Sequence, residues 1–187
     1  MEGKVPVRVS ALCGSLRTGS FNQMLLNAAI AKAPAQGLEI VQADISGFPV
    51  FSQDLEAAGL PAAVSAAKEV LESSACVLLV TPEYNHGVPG VLKNAVDWLS
   101  RPFGDSPLIG RPMALMGAST GYYGTIRAQL AWRQMLYFFK CPVFSDAEIT
   151  LGFAAKAFDE HGVLIEPRYV ESLDTYLEAL AKWLGAR

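Results

Sequence analysis

Short runs of β-branched and aliphatic residues alternate along the chain with segments whose apolar positions recur every three or four residues. Val7–Cys13, residues 38–43, Cys76–Val80 and residues 113–117 are runs of the first kind, and their length and composition predict strands. Residues 21–33, 61–75, 89–99 and 125–139 carry helical spacing, the third with a proline near its first turn, where the missing N–H costs nothing. A fifth strand is expected to start near Pro142 and run toward Thr150. A last helix, from about residue 168 to 184, places Leu173, Leu177, Leu180 and Leu184 on one face. Strands that alternate with helices in this way predict a parallel sheet covered by helices, a single α/β domain over residues 1–187.

The common five-stranded solution is the flavodoxin-like, doubly wound parallel sheet of order 2-1-3-4-5 with helices on both faces. Ligands of such sheets bind beyond the carboxyl ends of the strands, where the strand order reverses, which here means the loops after strands one and three. Those two loops and the loop after strand four are also the most polar and glycine-rich stretches of the chain.

The first loop reads Gly14-Ser15-Leu16-Arg17-Thr18-Gly19-Ser20-Phe21-Asn22 and opens directly into a helix. Short polar side chains, one Arg and unpaired N–H groups at a helix N-terminus attract an anion. The spacing of Gly14 and Gly19 matches a Walker loop, but Ser20 and Phe21 stand where its Lys and Ser or Thr belong, and G-x-G-x-x-G is absent. ATP and GTP chemistry is therefore disfavoured, and a terminal phosphate monoester suits the hydroxyls and the Arg better. The plainer reading has Ser20 capping the helix and Arg17 in solvent.

The second loop, Thr81-Pro82-Glu83-Tyr84-Asn85-His86-Gly87-Val88-Pro89-Gly90, is stiffened by two prolines. Tyr84 and Asn85 offer an aromatic face and an amide, which suit a planar heteroaromatic ring with polar edges; the alternative is a rigid turn with Tyr84 packed on the protein. The third loop, Gly117-Ala118-Ser119-Thr120-Gly121-Tyr122-Tyr123-Gly124, lets backbone approach a ligand edge, with Ser119 or Thr120 as donor and Tyr122 and Tyr123 at the pocket mouth or on a contact surface.

Composition narrows the partners. The chain has 187 residues, 51% of them hydrophobic, and a net charge of −3, which leaves no basic footprint for nucleic acid or an anionic membrane. Cys13, Cys76 and Cys141 are too scattered for a metal or disulfide framework, so a reducing, cytoplasmic compartment is expected. Charges at Glu2, Lys4 and Arg8 break up any signal-peptide core, and no apolar run approaches the roughly 18 residues of a bilayer span.

The motifs G-S-L-R-T-G-S-F-N, P-E-Y-N-H-G-V-P-G-V-L-K-N-A-V-D-W-L-S-R and G-A-S-T-G-Y-Y-G-T-I-R-A-Q-L together closely resemble the NAD(P)H-dependent FMN reductase family, which includes quinone, azo-dye and chromate reductases. The resemblance runs from roughly Val7 to Glu148. It implies a flavodoxin-like fold, noncovalent FMN, NAD(P)H as co-substrate, and a homodimer or a dimer of dimers. By position, Ser15, Arg17, Ser20 and Asn22 would hold the FMN phosphate. Pro82, Glu83, Tyr84 and Asn85 would cradle the isoalloxazine largely through backbone groups, and Ser119 and Gly121 would flank the ring. After Arg127 the helix runs Ala-Gln-Leu-Ala-Trp-Arg-Gln, where members with a polar tetramer contact carry more polar or aromatic residues near Leu130, a departure that weakens the case for a tetramer.

Flavin supplies the reactive centre in such a protein, so no side-chain triad is needed. His86, Arg101 and Tyr122 stand as substrate-contact residues, with a loop or interface role for His86 and a structural salt bridge for Arg101 as the alternatives. His161 reads as a turn residue and Cys13 as a small buried hydrophobe. The expected activity is NAD(P)H-dependent reduction of quinones and related acceptors (azo compounds, chromate, free flavin) by ping-pong hydride transfer. The competing classes are a flavodoxin-like electron carrier, which a charge of only −3 equips poorly for steering toward redox partners, and a flavin-binding interaction protein. Trp98, Trp132, Tyr137, Phe138 and Phe139 offer aromatic surface for a homodimer built on the third and fourth of these helices; the alternative is that most of them are core, with Phe138 and Phe139 evenly placed between the two.

Overall fold

The structure, a computed structural model, describes residues 5–185; the N-terminal charges Glu2 and Lys4 of the leader argument lie outside the described residues. Five parallel strands, β1 (Val7–Cys13), β2 (Leu38–Gln42), β3 (Cys76–Val80), β4 (Met113–Ala118) and β5 (Ile149–Leu151), form one sheet in the order β2-β1-β3-β4-β5. This is the flavodoxin-like arrangement. β3 is central and wholly buried, which is why its sequence, Cys-Val-Leu-Leu-Val, is apolar without alternation. Cys13 pairs with Val80, and Val80 with Met116, so β1, β3 and β4 release their loops at one edge of the sheet.

Helices cover both faces. On one side α1 (Phe21–Lys32) and α7 (Pro167–Gly185) pack Leu25, Leu26, Leu173, Leu177 and Leu180 against Val9, Leu78 and Met116. On the other, α3 (Ala62–Glu72), α4 (Gly90–Leu99) and α5 (Ile126–Phe138) pack Leu71, Leu92, Leu99 and Leu136 against Leu12, Leu79 and Leu115. Two short helices, α2 (Gln53–Ala57) and α6 (Ala154–Ala157), were not foreshadowed by periodicity because neither is long enough to show one. α7 also buries Tyr176, whose hydroxyl donates to the Leu115 carbonyl at 2.9 Å; burial pushes its pKa above the ordinary tyrosine range.

Two expectations need correction. The fifth strand does not run from Pro142. Residues 142–144 make one bridge, Val143 to Met113, the polar stretch 145–148 leaves the sheet, and pairing resumes at Ile149. Trp98 and Trp132 are not dimer surface: both are fully buried, with their indole N–H groups on the Pro49 carbonyl (2.8 Å) and Thr81 Oγ1 (3.1 Å). Tyr137 and Phe138 remain outward, 85% and 65% exposed, and Phe139 is half-buried.

Candidate functional site

The loops after β1, β3 and β4 enclose a cleft of about 230 Å³ lined by Ser15, Arg17, Ser20, Asn22, Pro82, Glu83, Tyr84 and Ser119, together with Phe21, Ala118 and Thr120. All three loops singled out in the sequence therefore meet at one place. Its polar end is the start of α1. Ser20 caps this helix, its hydroxyl accepting from the Gln23 N–H at 3.3 Å, while the N–H groups of Phe21 and Asn22 lie ahead of any intrahelical acceptor. Arg17 is exposed, with its guanidinium 5.0 Å from the Phe21 ring and one N–H on the Thr18 carbonyl, so no buried contact ties it down. Two hydroxyls, a helix N-terminus and one exposed cation fit a phosphate monoester.

Asn22 does something the motif did not reveal. Its buried amide donates to the Ala118 carbonyl and accepts from the Ala118 N–H, both at 2.9 Å, and so locks the first loop to the third. Both polar ends of the side chain are thus engaged, which leaves its second Nδ2 hydrogen and the backbone N–H of Asn22 for an anion at the start of α1. Glu83 is likewise occupied. Its carboxylate, with the side chain only 7% exposed, accepts from the N–H groups of Arg127 (2.9 Å) and Ala128 (3.1 Å) and pairs with the Arg127 guanidinium at 3.3 Å. It is the cap of α5, which starts without a side-chain cap of its own. The Glu83 side chain thus fixes the second loop to α5, and its backbone alone is left to face a ligand.

Beyond Tyr84 the second loop is a two-residue turn. Tyr84 and Gly87 exchange backbone hydrogen bonds (3.2 and 2.9 Å), and Asn85 and His86 sit between them at φ 51° and 60°. Positive φ at both central positions marks a type I′ turn, which Asn tolerates and for which the second position favours Gly. His86 holds that second position. His86→Gly should raise stability by about 1 kcal/mol, moving the thermal midpoint up by about 2–4 °C; a midpoint lowered in a melting experiment would show that the imidazole is needed for the fold.

The other expected site residues lie outside the cleft lining. Asn85 and His86 are at the exposed turn tip. Gly121 donates to Ser119 Oγ at 3.2 Å and stands next to exposed Tyr122. Arg101 faces elsewhere: its guanidinium lies 4.9 Å from the Phe51 ring with Nε 3.8 Å from Glu56, beside a separate cavity of about 310 Å³ shared with Phe103 and Phe138. Arg101 is therefore paired with Glu56 and lies apart from the cleft lining. Cys13 is buried, its Sγ toward the Ser15 carbonyl at 3.7 Å, and burial raises its pKa; the same cause pushes Cys141 up to about 11. Neither thiol is poised as a nucleophile at neutral pH. Among the described residues no group of three His, Cys, Asp or Glu side chains could hold a metal ion, and no helix is long and apolar enough to cross a membrane.

A flavodoxin-like sheet whose strand-end cleft joins an anion-binding helix start to a stiff aromatic loop defines a protein that binds a phosphorylated cofactor. The NADPH-dependent FMN reductase family matches residues 7–156, and the chain belongs to that family. It is therefore an FMN enzyme with NAD(P)H as co-substrate. An NAD(P)H-dependent FMN reductase of Pseudomonas aeruginosa is 41% identical over 178 residues, 95% of either chain. A quinone reductase of Escherichia coli is 36% identical over 180 residues, again 95% of each. Among solved structures, the flavoenzyme FerB of Paracoccus denitrificans, an NAD(P)H:(acceptor) oxidoreductase, superposes with a TM-score of 0.87 at 31% identity, covering 96% of this chain and 98% of its own.

Proposed function

We propose that this chain reduces quinones with NAD(P)H, one reduced nicotinamide and one proton being consumed for each quinone taken to its hydroquinone. The observation that carries this reading is the shape of the cleft, polar and anchored at the start of α1 and open toward Tyr84. At about 230 Å³ it is smaller than the roughly 300–1,000 Å³ of pockets that enclose a whole ligand, so it suits one end of a cofactor and leaves the reactive end accessible. FMN, when bound, supplies the redox chemistry, accepting a hydride from NAD(P)H and passing two electrons to the acceptor.

The residues of the chain bind and orient. Ser15, Ser20, Arg17 and the α1 N-terminus would hold the phosphate; Pro82, Glu83 and Tyr84 would offer backbone along the ring, with Asn85 at the turn, and Ser119 and Gly121 would flank it. The strut from Asn22 to Ala118 and the Glu83 cap keep the three loops in register. Nicotinamide and quinone use the same open side in turn. Initial-rate plots at several fixed quinone concentrations should accordingly give parallel double-reciprocal lines. Intersecting lines would overturn the shared-site reading, and an FMN-loaded protein that takes electrons only from a reductase protein would make this chain a carrier. Azo compounds, chromate and free flavin are further acceptors within reach of an open site, to be ranked by kcat/KM.

Arg17→Ala should weaken FMN binding by about 1.5–3 kcal/mol, the worth of a charge-assisted bond, when apoprotein is titrated with FMN; unchanged affinity would leave Arg17 in solvent. We also propose a homodimer over the outward α4 and α5 surface, where Phe103, Tyr137 and Phe138 are exposed, in a reducing, cytoplasmic setting. A monomeric mass at micromolar concentration by sedimentation would contradict the dimer.

A further inference from the structure

Beside the cleft the chain presents aromatic rings that its own packing leaves in water. Tyr122 is 71% exposed and Phe153 51%. Their ring centroids are 5.7 Å apart in an edge-to-face arrangement, with Tyr123 a further 5.0 Å from Tyr122. The two segments are joined by backbone. Ser119 N–H donates to the Leu151 carbonyl (2.9 Å), Ala154 N–H to Ser119 (3.0 Å) and Phe153 N–H to Gly121 (3.2 Å). Gly152 permits the join, because a Cβ there would stand 2.5 Å from the Tyr122 carbonyl oxygen. The turn that carries Phe153 is thus stitched to the same stretch, beginning at Ser119, that lines the cleft.

Phe153 sits at φ 49° and ψ 38°, a left-handed conformation that suits glycine and disfavours a bulky side chain. The turn requires a residue in that conformation; it does not require a phenyl ring, half of which is in solvent. Tyr123, 60% exposed, carries the Arg127 guanidinium on one face, 5.0 Å from its centroid, and Arg127 is in turn held by Glu83. The strained, exposed ring at 153 and its neighbour at 122, set edge to face, remain as an angled aromatic rim next to the stretch that begins at Ser119.

We propose that Phe153 and Tyr122 form the wall that receives the ring of a planar aromatic electron acceptor, favouring fused-ring quinones over acceptors without a ring. The inference rests on the quinone-reducing function proposed above. Offset and edge-to-face contacts with two rings supply both affinity and orientation for such a substrate, and an inorganic acceptor gains neither.

Phe153→Gly tests this in the FMN-loaded protein. The thermal midpoint should rise by about 2–4 °C as the left-handed strain is relieved. The ratio of kcat/KM for 1,4-naphthoquinone to that for ferricyanide should fall about tenfold, and 2-naphthol, a planar ring that cannot be reduced, should bind about tenfold more weakly when followed by the change in flavin absorbance. Phe153→Trp should restore both. A lowered midpoint, an unchanged acceptor ratio, or a rise confined to the KM for NAD(P)H would each overturn the proposal. If the wild-type protein carries FMN yet turns over no quinone, the functional reading fails on its own, and the 2-naphthol titration still decides whether the wall exists.

Discussion

Glu83→Ala is expected to destabilise the protein by about 3 kcal/mol, lowering the thermal midpoint by about 6–12 °C and reducing flavin retention. The carboxylate satisfies two N–H groups at the start of α5, so its removal leaves two donors of a helix terminus unpaired under a nearly buried side chain. The paired cation decides little. Arg127 is more than a third exposed and approaches Glu83 only to 3.3 Å, and without it the carboxylate still has both backbone donors and the helix dipole. Arg127→Ala should therefore cost about 1 kcal/mol or less, and Glu83→Gln, which keeps one acceptor oxygen, should fall between the two alanine variants. Equal losses for Glu83→Ala and Arg127→Ala in denaturant titrations would show that the ion pair, and not the cap, holds the second loop.

Gly117→Ala should be at least as damaging. A Cβ at this position in β4 would lie 2.1 Å from the Thr81 carbonyl oxygen and 2.4 Å from Thr125 Oγ1, and the first of these is backbone that cannot rotate away. Thr81 ends the β3 segment just before Pro82, its N–H donates to the Met116 carbonyl at 2.9 Å, and its hydroxyl receives the Trp132 indole N–H. Separating β3 from β4 here moves the second loop away from the third. A loss of about 3 kcal/mol, the upper range for overpacking, is expected, with FMN affinity falling in parallel. Retention of full stability in a melting experiment would mean that the strands relax without displacing the site.

The sequence makes the architecture legible because each level of the chain agrees with the next. β3 is apolar throughout and central, α7 shows Leu173, Leu177, Leu180 and Leu184 on one face and buries them, and the three Gly- and Ser-rich loops converge on one cleft. Side-chain commitments to the fold are harder to read. Asn22 and Glu83 look like ligand residues because they are polar and lie in the right loops; their partners, Ala118 and the start of α5, are far away in the chain and carry no local mark. Trp98 and Trp132 look like surplus aromatic surface because the loop at Pro49 and the Thr81 hydroxyl that accept their N–H groups are equally remote. Phe153 escapes notice for a different reason. It stands at a positive φ, which composition does not encode for a residue other than glycine or asparagine.

The central claim is that the cleft at the start of α1 holds a flavin by its terminal phosphate. The direct measurement is to purify the protein, denature it, and identify and quantify the released chromophore by chromatography and mass. FMN at about one equivalent per chain, or the same stoichiometry after reconstitution of colourless protein, is the predicted result; release of FAD, or protein that cannot be loaded with FMN, would contradict it.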